Sequence, residues 1–330
     1  TECHQVYLNG RGAKEEGEAK EEEDKVKTKD EIQHILHASL EKGNMGRFLY
    51  PVDTDQFADI RKDGKVYVDK TDMVFDLVSK YRYVFLARPR RFGKSLLCNT
   101  FKAYFLGQKE LFEGLKIMDL EKEWKKHPVL HFTMSGLKNC TIPEAKSALE
   151  LFISDYENLY GRNIAEETPG KRFRGLIHRA FEQTGEKVVV ILDEYDSAIM
   201  RLMYEPEQLE AMRTMLREFY QVLKDEGAYL RFVFITGVTK FSQLSIFSEL
   251  NNLYQISMLD EYSGLCGITQ EELDTTLRPC VEEYAQNLNI TTEEAYALLK
   301  KNYDGYHFSA NSKDVYAPFS VLRAFDGCNT

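Results

Sequence analysis

The sequence predicts an α/β fold with a parallel central sheet of about five strands flanked by helices, plus a mostly helical C-terminal region. Two observations lead to this prediction. Short apolar segments alternate with amphipathic segments of helical length, which is the pattern of a parallel sheet with crossover helices. The apolar segments are also nearly continuous, as expected of strands that are buried on both faces.

Five apolar segments are the predicted strands. In chain order they are Val66–Val68, Tyr83–Ala87, Val129–Thr133, Val188–Leu192 and Arg231–Thr236. The predicted helices between and after them are Met73–Lys80, Lys94–Leu106, Pro143–Tyr160, Phe173–Thr184 and Pro206–Asp225. Turn and capping residues at Asp69–Thr71 precede the first helix, and Gly107 ends the second. After Glu261 the pattern is mostly helical through Asn302, and an irregular, aromatic segment follows.

Composition and charge divide the chain into three parts. The 330 residues carry 53 acids and 43 bases, a net charge of −10, which argues against a protein that coats nucleic acid with its whole surface. Residues 1–47 are predicted to be an acidic, disordered tail, because 14–31 has almost no apolar side chains. A globular α/β domain is predicted over 48–260, and a helical lid or C-terminal subdomain over 261–330.

The location of the protein is predicted from what the sequence lacks. No apolar run approaches the roughly 20 residues of a membrane helix, so no membrane association is expected. The six cysteines are scattered without a CxxC pair, and the N-terminus has no signal-peptide pattern. These features predict a soluble, cytoplasmic protein.

A candidate phosphate-binding loop, Arg88-Pro89-Arg90-Arg91-Phe92-Gly93-Lys94-Ser95, lies between a predicted strand and a predicted helix. It matches GxxxxGK[ST] except that Arg88 replaces the first glycine. In such loops backbone N–H groups and the helix N-terminus bind phosphates, the lysine contacts the β/γ oxygens and the hydroxyl binds Mg²⁺. The motif predicts a nucleotide site formed by Arg90, Arg91, Phe92, Gly93, Lys94, Ser95 and Leu96.

The Val188–Leu192 segment ends in Asp193-Glu194, the pattern of a Walker B strand. Asp193 is predicted to bind Mg²⁺ together with Ser95, and Glu194 to polarise the water that attacks the γ-phosphate. The two acids could also belong to an ordinary exposed turn. Their order after a phosphate-binding loop favours the nucleotide site.

The order of the segments indicates the ATPase branch of P-loop NTPases. A strand, Val129–Thr133, separates the two motif strands, and an acid follows Asp193. In that branch the next strand, Phe232–Ile235, inserts beside the P-loop strand and places a polar sensor near the γ-phosphate. Thr236 is the candidate sensor, with Thr239 and Lys240 behind it, and a strand exit without a catalytic role is the alternative.

Seven motifs in order resemble the bacterial AAA-ATPase-like family. They are YVDKT (Tyr67–Thr71), RPRRFGKS (Arg88–Ser95), LFEGL (Leu111–Leu115), ILDEYD (Ile191–Asp196), TGVTKFS (Thr236–Ser242), IFSELNNL (Ile246–Leu253) and YDGYHF (Tyr303–Phe308). The resemblance implies that Arg88 is the family's own variant and that the ligand is ATP. Family members commonly continue into a PD-(D/E)XK nuclease-like domain, for which the C-terminal residues show no D…(D/E)xK arrangement, so nuclease activity is not predicted.

Two functions from different classes lead at this stage, and a phosphotransferase that acts on a small substrate is a third possibility, for which the sequence shows no acceptor pocket. The first is a Mg²⁺-dependent ATPase whose nucleotide state moves the region after Glu261 as a lid or moves a partner. The second is a nucleotide-gated switch that binds nucleic acid or protein with little hydrolysis. Fast turnover needs an arginine finger, for which Arg90, Arg91 and a residue of a neighbouring subunit are candidates, so the oligomeric state also stays open.

Overall fold

The computed structural model describes residues 48–239, 253–309, 311–312 and 314–327, except for the side chain of Arg201. The predicted tail 1–47, Lys240 and the motif residues 246–252 lie outside the described residues.

Five parallel strands form the central sheet, in the spatial order β5-β1-β4-β3-β2. They are β1 Tyr83–Ala87, β2 Val129–Thr133, β3 Val188–Asp193, β4 Leu230–Gly237 and β5 Tyr254–Gln255. The predicted fold class is therefore confirmed. In the sheet, β4 lies between β1 and β3, as expected for the ATPase branch. The strand that precedes the phosphate-binding loop and the strand that ends at Asp193 are therefore not direct neighbours.

One predicted strand is wrong. Val66–Val68 forms no strand, although the N–H of Val66 donates to the carbonyl of Leu49 at 2.8 Å. The sheet edge beside β1 is occupied instead by β5, whose pairing partners are Val84 and Phe85. Sequence reasoning missed β5 because it has two residues, both exposed, and therefore no apolar pattern.

Helices cover both faces of the sheet. The helices of the described residues are α1 Phe57–Lys62, α2 Thr71–Lys80, α3 Lys94–Phe105, α4 Ile117–Leu120, α5 Ile142–Tyr160, α6 Pro169–Thr184, α7 Pro206–Asp225, α8 Gln270–Asp274, α9 Arg278–Leu288, α10 Thr292–Tyr303 and α11 Pro318–Gly327. Helices α5, α6 and α7 pack on one face and α1, α2 and α3 on the other. None of these helices is both long enough and apolar enough to cross a bilayer.

Strand β3 shows why its sequence is continuously apolar. Val188, Val190 and Leu192 pack into the core under α5–α7, whereas Val189 and Ile191 pack into the core under α3. Side chains alternate between faces along a strand, so a strand covered on both sides needs an apolar residue at every position. The next residue, Asp193, therefore continues on the α3 face, where the candidate site lies.

The C-terminal residues form a third core that also includes upstream residues. Helices α8–α11 and a short antiparallel pair, β6 Ile268–Thr269 and β7 Val315–Tyr316, enclose it. Tyr50 is buried in this core, and its hydroxyl donates to Glu283 at 3.1 Å. The buried Lys70 forms an ion pair with the half-buried Glu272. The predicted helical C-terminal region is confirmed, and it is joined to the segment before α2 by these contacts; the boundary near residue 260 stays a prediction.

Candidate functional site

The loop between β1 and α3 leaves open space in front of the helix. Arg91 and Gly93 have positive φ angles of 66° and 77°. Glycine adopts this conformation without strain, and a Cβ on Gly93 would meet no atom within 4 Å. Helix α3 begins at Lys94 without a side-chain cap, so its first N–H groups are free to bind an anion.

The side chains of Lys94 and Ser95 bond to different parts of the site. The ammonium of Lys94 donates to the carbonyl of Pro89 at 3.0 Å, which brings this buried side chain back over the loop. The hydroxyl of Ser95 donates to Oδ2 of Asp193 at 2.6 Å. These two motifs, distant in the sequence, are therefore in direct contact at the carboxyl edge of the sheet.

Asp193 is a buried carboxylate with one unpaired oxygen. Its side chain is 1% exposed, and Oδ1 has no hydrogen-bond partner among the described residues. Burial raises the pKa of Asp193, and the hydrogen bond from Ser95 opposes that shift. Desolvation disfavours the ionised form, and a cation beside the carboxylate would restore it.

Glu194 follows Asp193 in a conformation that is unusual for a side-chain-bearing residue. Its φ angle is 55°, in the left-handed region that non-glycine residues seldom occupy. Its half-buried carboxylate accepts a hydrogen bond from the hydroxyl of Ser197 at 3.0 Å. Such strain is concentrated at functional sites.

Thr236 lies beside Asp193 on the middle strand. Leu192 pairs with Ile235, so Asp193 and Thr236 are the next residues along β3 and β4. The buried hydroxyl of Thr236 donates to the carbonyl of Leu86 at 2.8 Å. The hydroxyl is thus bonded within the sheet, and its sensor role stays a prediction.

The remaining predicted loop residues differ in their surroundings. Arg90 and Arg91 are exposed, and the guanidinium of Arg91 lies 4.8 Å from the centroid of the Phe319 ring. Phe92 is buried against Tyr306 at a centroid distance of 4.7 Å. Leu96 is half-buried beside the α3 core. Phe92 and Leu96 could therefore contribute backbone groups to a ligand more readily than side chains.

Sequence reasoning missed the role of Arg88. Its side chain is 1% exposed and donates to the carbonyls of Ala87, Ser257 and Tyr262 at 3.0, 2.7 and 3.1 Å. The guanidinium lies 4.0 Å from the centroid of the Phe308 ring. Burial lowers its pKa, but an arginine remains charged. The sequence showed that Arg88 stands where the motif has a glycine. It did not show that Arg88 would contact Ser257 and Tyr262, which lie far away along the chain.

Sequence reasoning also missed Asp196, although it ends the ILDEYD motif. Its Oδ2 accepts the N–H groups of Val238 and Thr239 at 3.0 and 2.6 Å. The hydroxyl of Tyr195 donates to the carbonyl of Thr239 at 3.1 Å. These bonds hold the segment after Glu194 against the exit of β4.

Residues 51–247 match the sequence model of the predicted AAA-ATPase family, termed AAA-ATPase-like. This match covers the Arg88–Ser95 loop, Asp193, Glu194 and Thr236. The chain belongs to the AAA-ATPase-like family. The recognised family is thereby confirmed, and the match includes the first five of the seven motifs in full. The family supports nucleotide binding by a P-loop fold.

A protein of Azotobacter chroococcum mcd 1 is a relative of this AAA-ATPase-like chain. It is described as an uncharacterized protein in the vnfD 5′ region. The two are 37% identical over 284 residues, which is 85% of this chain and 52% of the relative. The chain thus spans about half the length of this relative.

The exit of β4 gives a testable prediction about the site's packing. A Cβ on Gly237 would lie 2.6 Å from two ring carbons of the buried Tyr195 and 2.7 Å from Oδ1 of Asp196. Gly237→Ala should therefore lower the free energy of unfolding by about 1–3 kcal/mol, the usual cost of overpacking, as measured by urea denaturation.

Gly327→Ala is the matched control, because a Cβ there meets nothing within 4 Å. It should change the free energy of unfolding by less than about 0.5 kcal/mol. Equal unfolding midpoints for wild type and Gly237→Ala would contradict the close packing of Tyr195 on Gly237.

Proposed function

We propose that this chain binds Mg²⁺-ATP on the Arg88–Ser95 loop and hydrolyses it. The observation that carries the proposal is the 2.6 Å hydrogen bond between Ser95 and Asp193, which joins the loop to the end of β3. A hydroxyl and a carboxylate side by side at the N-terminus of a helix are the groups that a metal-bound triphosphate requires. The family match supports the nucleotide-binding part.

The residues present fit Mg²⁺. Ser95 and Asp193 offer the hard oxygen ligands that this ion prefers, and the unpaired Oδ1 of Asp193 lacks the charge partner a buried carboxylate needs. When bound, Mg²⁺ would neutralise charge on the β- and γ-phosphate oxygens. Ser95 and Asp193 would hold it, and their mutual hydrogen bond orients both side chains beforehand.

The other predicted residues would act on the triphosphate and the attacking water. The first N–H groups of α3 would bind phosphate oxygens, and Lys94 would exchange the Pro89 carbonyl for the β/γ oxygens. Glu194 would orient the attacking water and accept its proton. Thr236, beside Asp193, would need to release the Leu86 carbonyl before its hydroxyl could donate to the γ-phosphate.

We further propose that nucleotide binding is transmitted to the C-terminal region through aromatic contacts. Three loop residues contact this region: Arg88 with Phe308, Arg91 with Phe319 and Phe92 with Tyr306. Arg91 is the exposed member of this set. A triphosphate would compete with the ring of Phe319 for its guanidinium, because an anion attracts that charge more strongly than a ring face does.

The same site would serve a nucleotide-gated switch if hydrolysis were slow. The hydrogen bond from Ser197 to Glu194 supports this second candidate, because it occupies the carboxylate that would act as base. Protein or nucleic-acid partners are proposed for either case. A cytoplasmic location is also proposed, supported by the free cysteines 98, 140, 266 and 280.

Two substitutions test binding and hydrolysis separately. Lys94→Ala should weaken ATP binding by roughly 10–100-fold, because a charge-assisted hydrogen bond contributes about 1.5–3 kcal/mol. Glu194→Gln should retain binding and lower kcat by roughly 10²–10⁴-fold, the usual contribution of a general base. Calorimetric titration and phosphate release measure the two effects.

Lys102→Ala is the matched control, since this half-buried lysine lies on the same helix, two turns away from the loop. It should leave both quantities within about twofold of wild type. Tight wild-type binding with equal, near-zero turnover in wild type and Glu194→Gln would favour the switch. Absence of nucleotide binding by the wild type would overturn both candidates.

Phe319→Leu tests the transmission to the C-terminal region. A non-hydrolysable ATP analogue should change hydrogen exchange over 303–309 and 314–319 in the wild type. The substitution removes the aromatic face under Arg91 and should reduce that change by more than about half. ATP affinity should stay within about threefold of wild type, because the ring itself binds no phosphate.

Phe181→Leu is the control for this test, since Phe181 is also half-buried but packs on Tyr229, away from the loop. It should preserve the nucleotide-dependent exchange. An undiminished response in Phe319→Leu would show that Arg91 and Phe319 do not carry the coupling.

A further inference from the structure

Next to Ser95 lies a cluster of side chains of the types that bind metal ions. The sulfur of Cys98, a ring nitrogen of His131 and a carboxylate oxygen of Asp193 all lie within 4.8 Å of one another. They come from three elements, α3, β2 and β3. Neighbouring Leu130 and Phe132 pack on the opposite face of the sheet, so His131 is directed towards α3.

Two atoms of this group are buried without a partner. Nε2 of His131 and Oδ1 of Asp193 have no hydrogen-bond partner among the described residues. Buried polar atoms are nearly always paired, so two unpaired atoms in one cluster indicate a ligand between them. Asp193 is 1% exposed, so its carboxylate is shielded from bulk solvent.

The position of His131 is held by its backbone. The N–H of His131 and the hydroxyl of Tyr156 lie 2.7 Å apart, and the carbonyl of His131 accepts from the same hydroxyl at 2.9 Å. β2 is one of the two edge strands of the sheet, and the hydroxyl of Tyr156 bonds to its backbone at His131. The two bonds to Tyr156 fix the backbone that carries the imidazole ring.

We propose that Cys98, His131 and Asp193 form a binding site for Zn²⁺. A thiolate, an imidazole and a carboxylate are a donor set for this borderline-soft ion, whereas Mg²⁺ selects oxygen ligands alone. On binding, the thiol of Cys98 loses its proton to solvent and the sulfur bonds to the metal, with no change of oxidation state. Three protein ligands leave one position for water.

The shared Asp193 gives the site a regulatory consequence, which rests on the proposed function. Zn²⁺ bound by Cys98 and His131 would hold the same carboxylate that, with Ser95, would bind the Mg²⁺ of the nucleotide. Two cations on one carboxylate repel each other. Zinc should therefore weaken Mg²⁺-ATP binding by at least about tenfold.

Metal binding is tested first, without nucleotide. The metal-depleted full chain is titrated with Co²⁺, which replaces Zn²⁺ and reports a thiolate ligand by a near-ultraviolet charge-transfer band. We expect one equivalent to bind, the band to disappear in Cys98→Ser, and the affinity to fall by more than about tenfold in His131→Gln. Zn²⁺ should displace the bound Co²⁺.

Cys140→Ser and His178→Gln are the matched controls, since both residues lie outside the cluster. Both should keep the band and the affinity. Circular dichroism verifies that each variant is folded, and Cys98→Ala replaces Cys98→Ser if the buried hydroxyl prevents folding. Failure of Co²⁺ to bind, or a band that persists without Cys98, would overturn the zinc site.

The regulatory consequence is measured separately, by titrating a non-hydrolysable ATP analogue and Mg²⁺ into zinc-free and zinc-loaded protein. Weaker binding to the loaded protein supports it, and equal binding overturns it while the metal site stands. Absence of analogue binding to the zinc-free protein would instead overturn the proposed function, and the Co²⁺ titration alone would then decide the metal site.

Discussion

The hydrogen bond between Ser95 and Asp193 is the interaction on which the rest of the site depends. It exists because β1 and β3 are parallel, so the loop after one and the acids after the other meet at the same edge of the sheet. β4 lies between them and brings Thr236 beside Asp193. Helix α3, which carries Ser95, also carries Cys98 one turn later. The proposed Mg²⁺ site and the proposed zinc site therefore share one carboxylate.

A second constraint is the buried charge of Arg88. Removing a cation from water costs several kcal/mol, and here three carbonyl oxygens and one aromatic ring offset that cost. Two of those carbonyls, of Ser257 and Tyr262, belong to the chain after β5. The residue that replaces the usual glycine thus ties the loop to the chain that follows β5.

Much of the fold, and the contact between the phosphate-binding loop and Asp193, could be predicted from the sequence. The β1 and β3 strands are five- and six-residue segments that are buried at every position, so their sequences are apolar almost throughout and can be recognised locally. Val66–Val68 failed as a strand because its pattern is equally that of a half-buried loop, and β5 is paired only because β1 offers a free edge. Whether a segment pairs with a sheet edge depends on the tertiary structure, and a two-residue segment has too short a sequence to predict it.

The parts of the site that the sequence did not predict all depend on long-range contacts. Arg88 contacts Ser257 and Tyr262, and Cys98 lies near His131. These residues are far apart in the sequence, and no spacing pattern links them.

The central claim, that a triphosphate binds between the α3 N-terminus and Asp193, is tested most directly by a crystal structure with Mg²⁺ and a non-hydrolysable ATP analogue. The account predicts phosphate oxygens on the first N–H groups of α3, with Lys94 moved from the Pro89 carbonyl to the phosphates. An analogue bound elsewhere, with Lys94 still on Pro89, would contradict it.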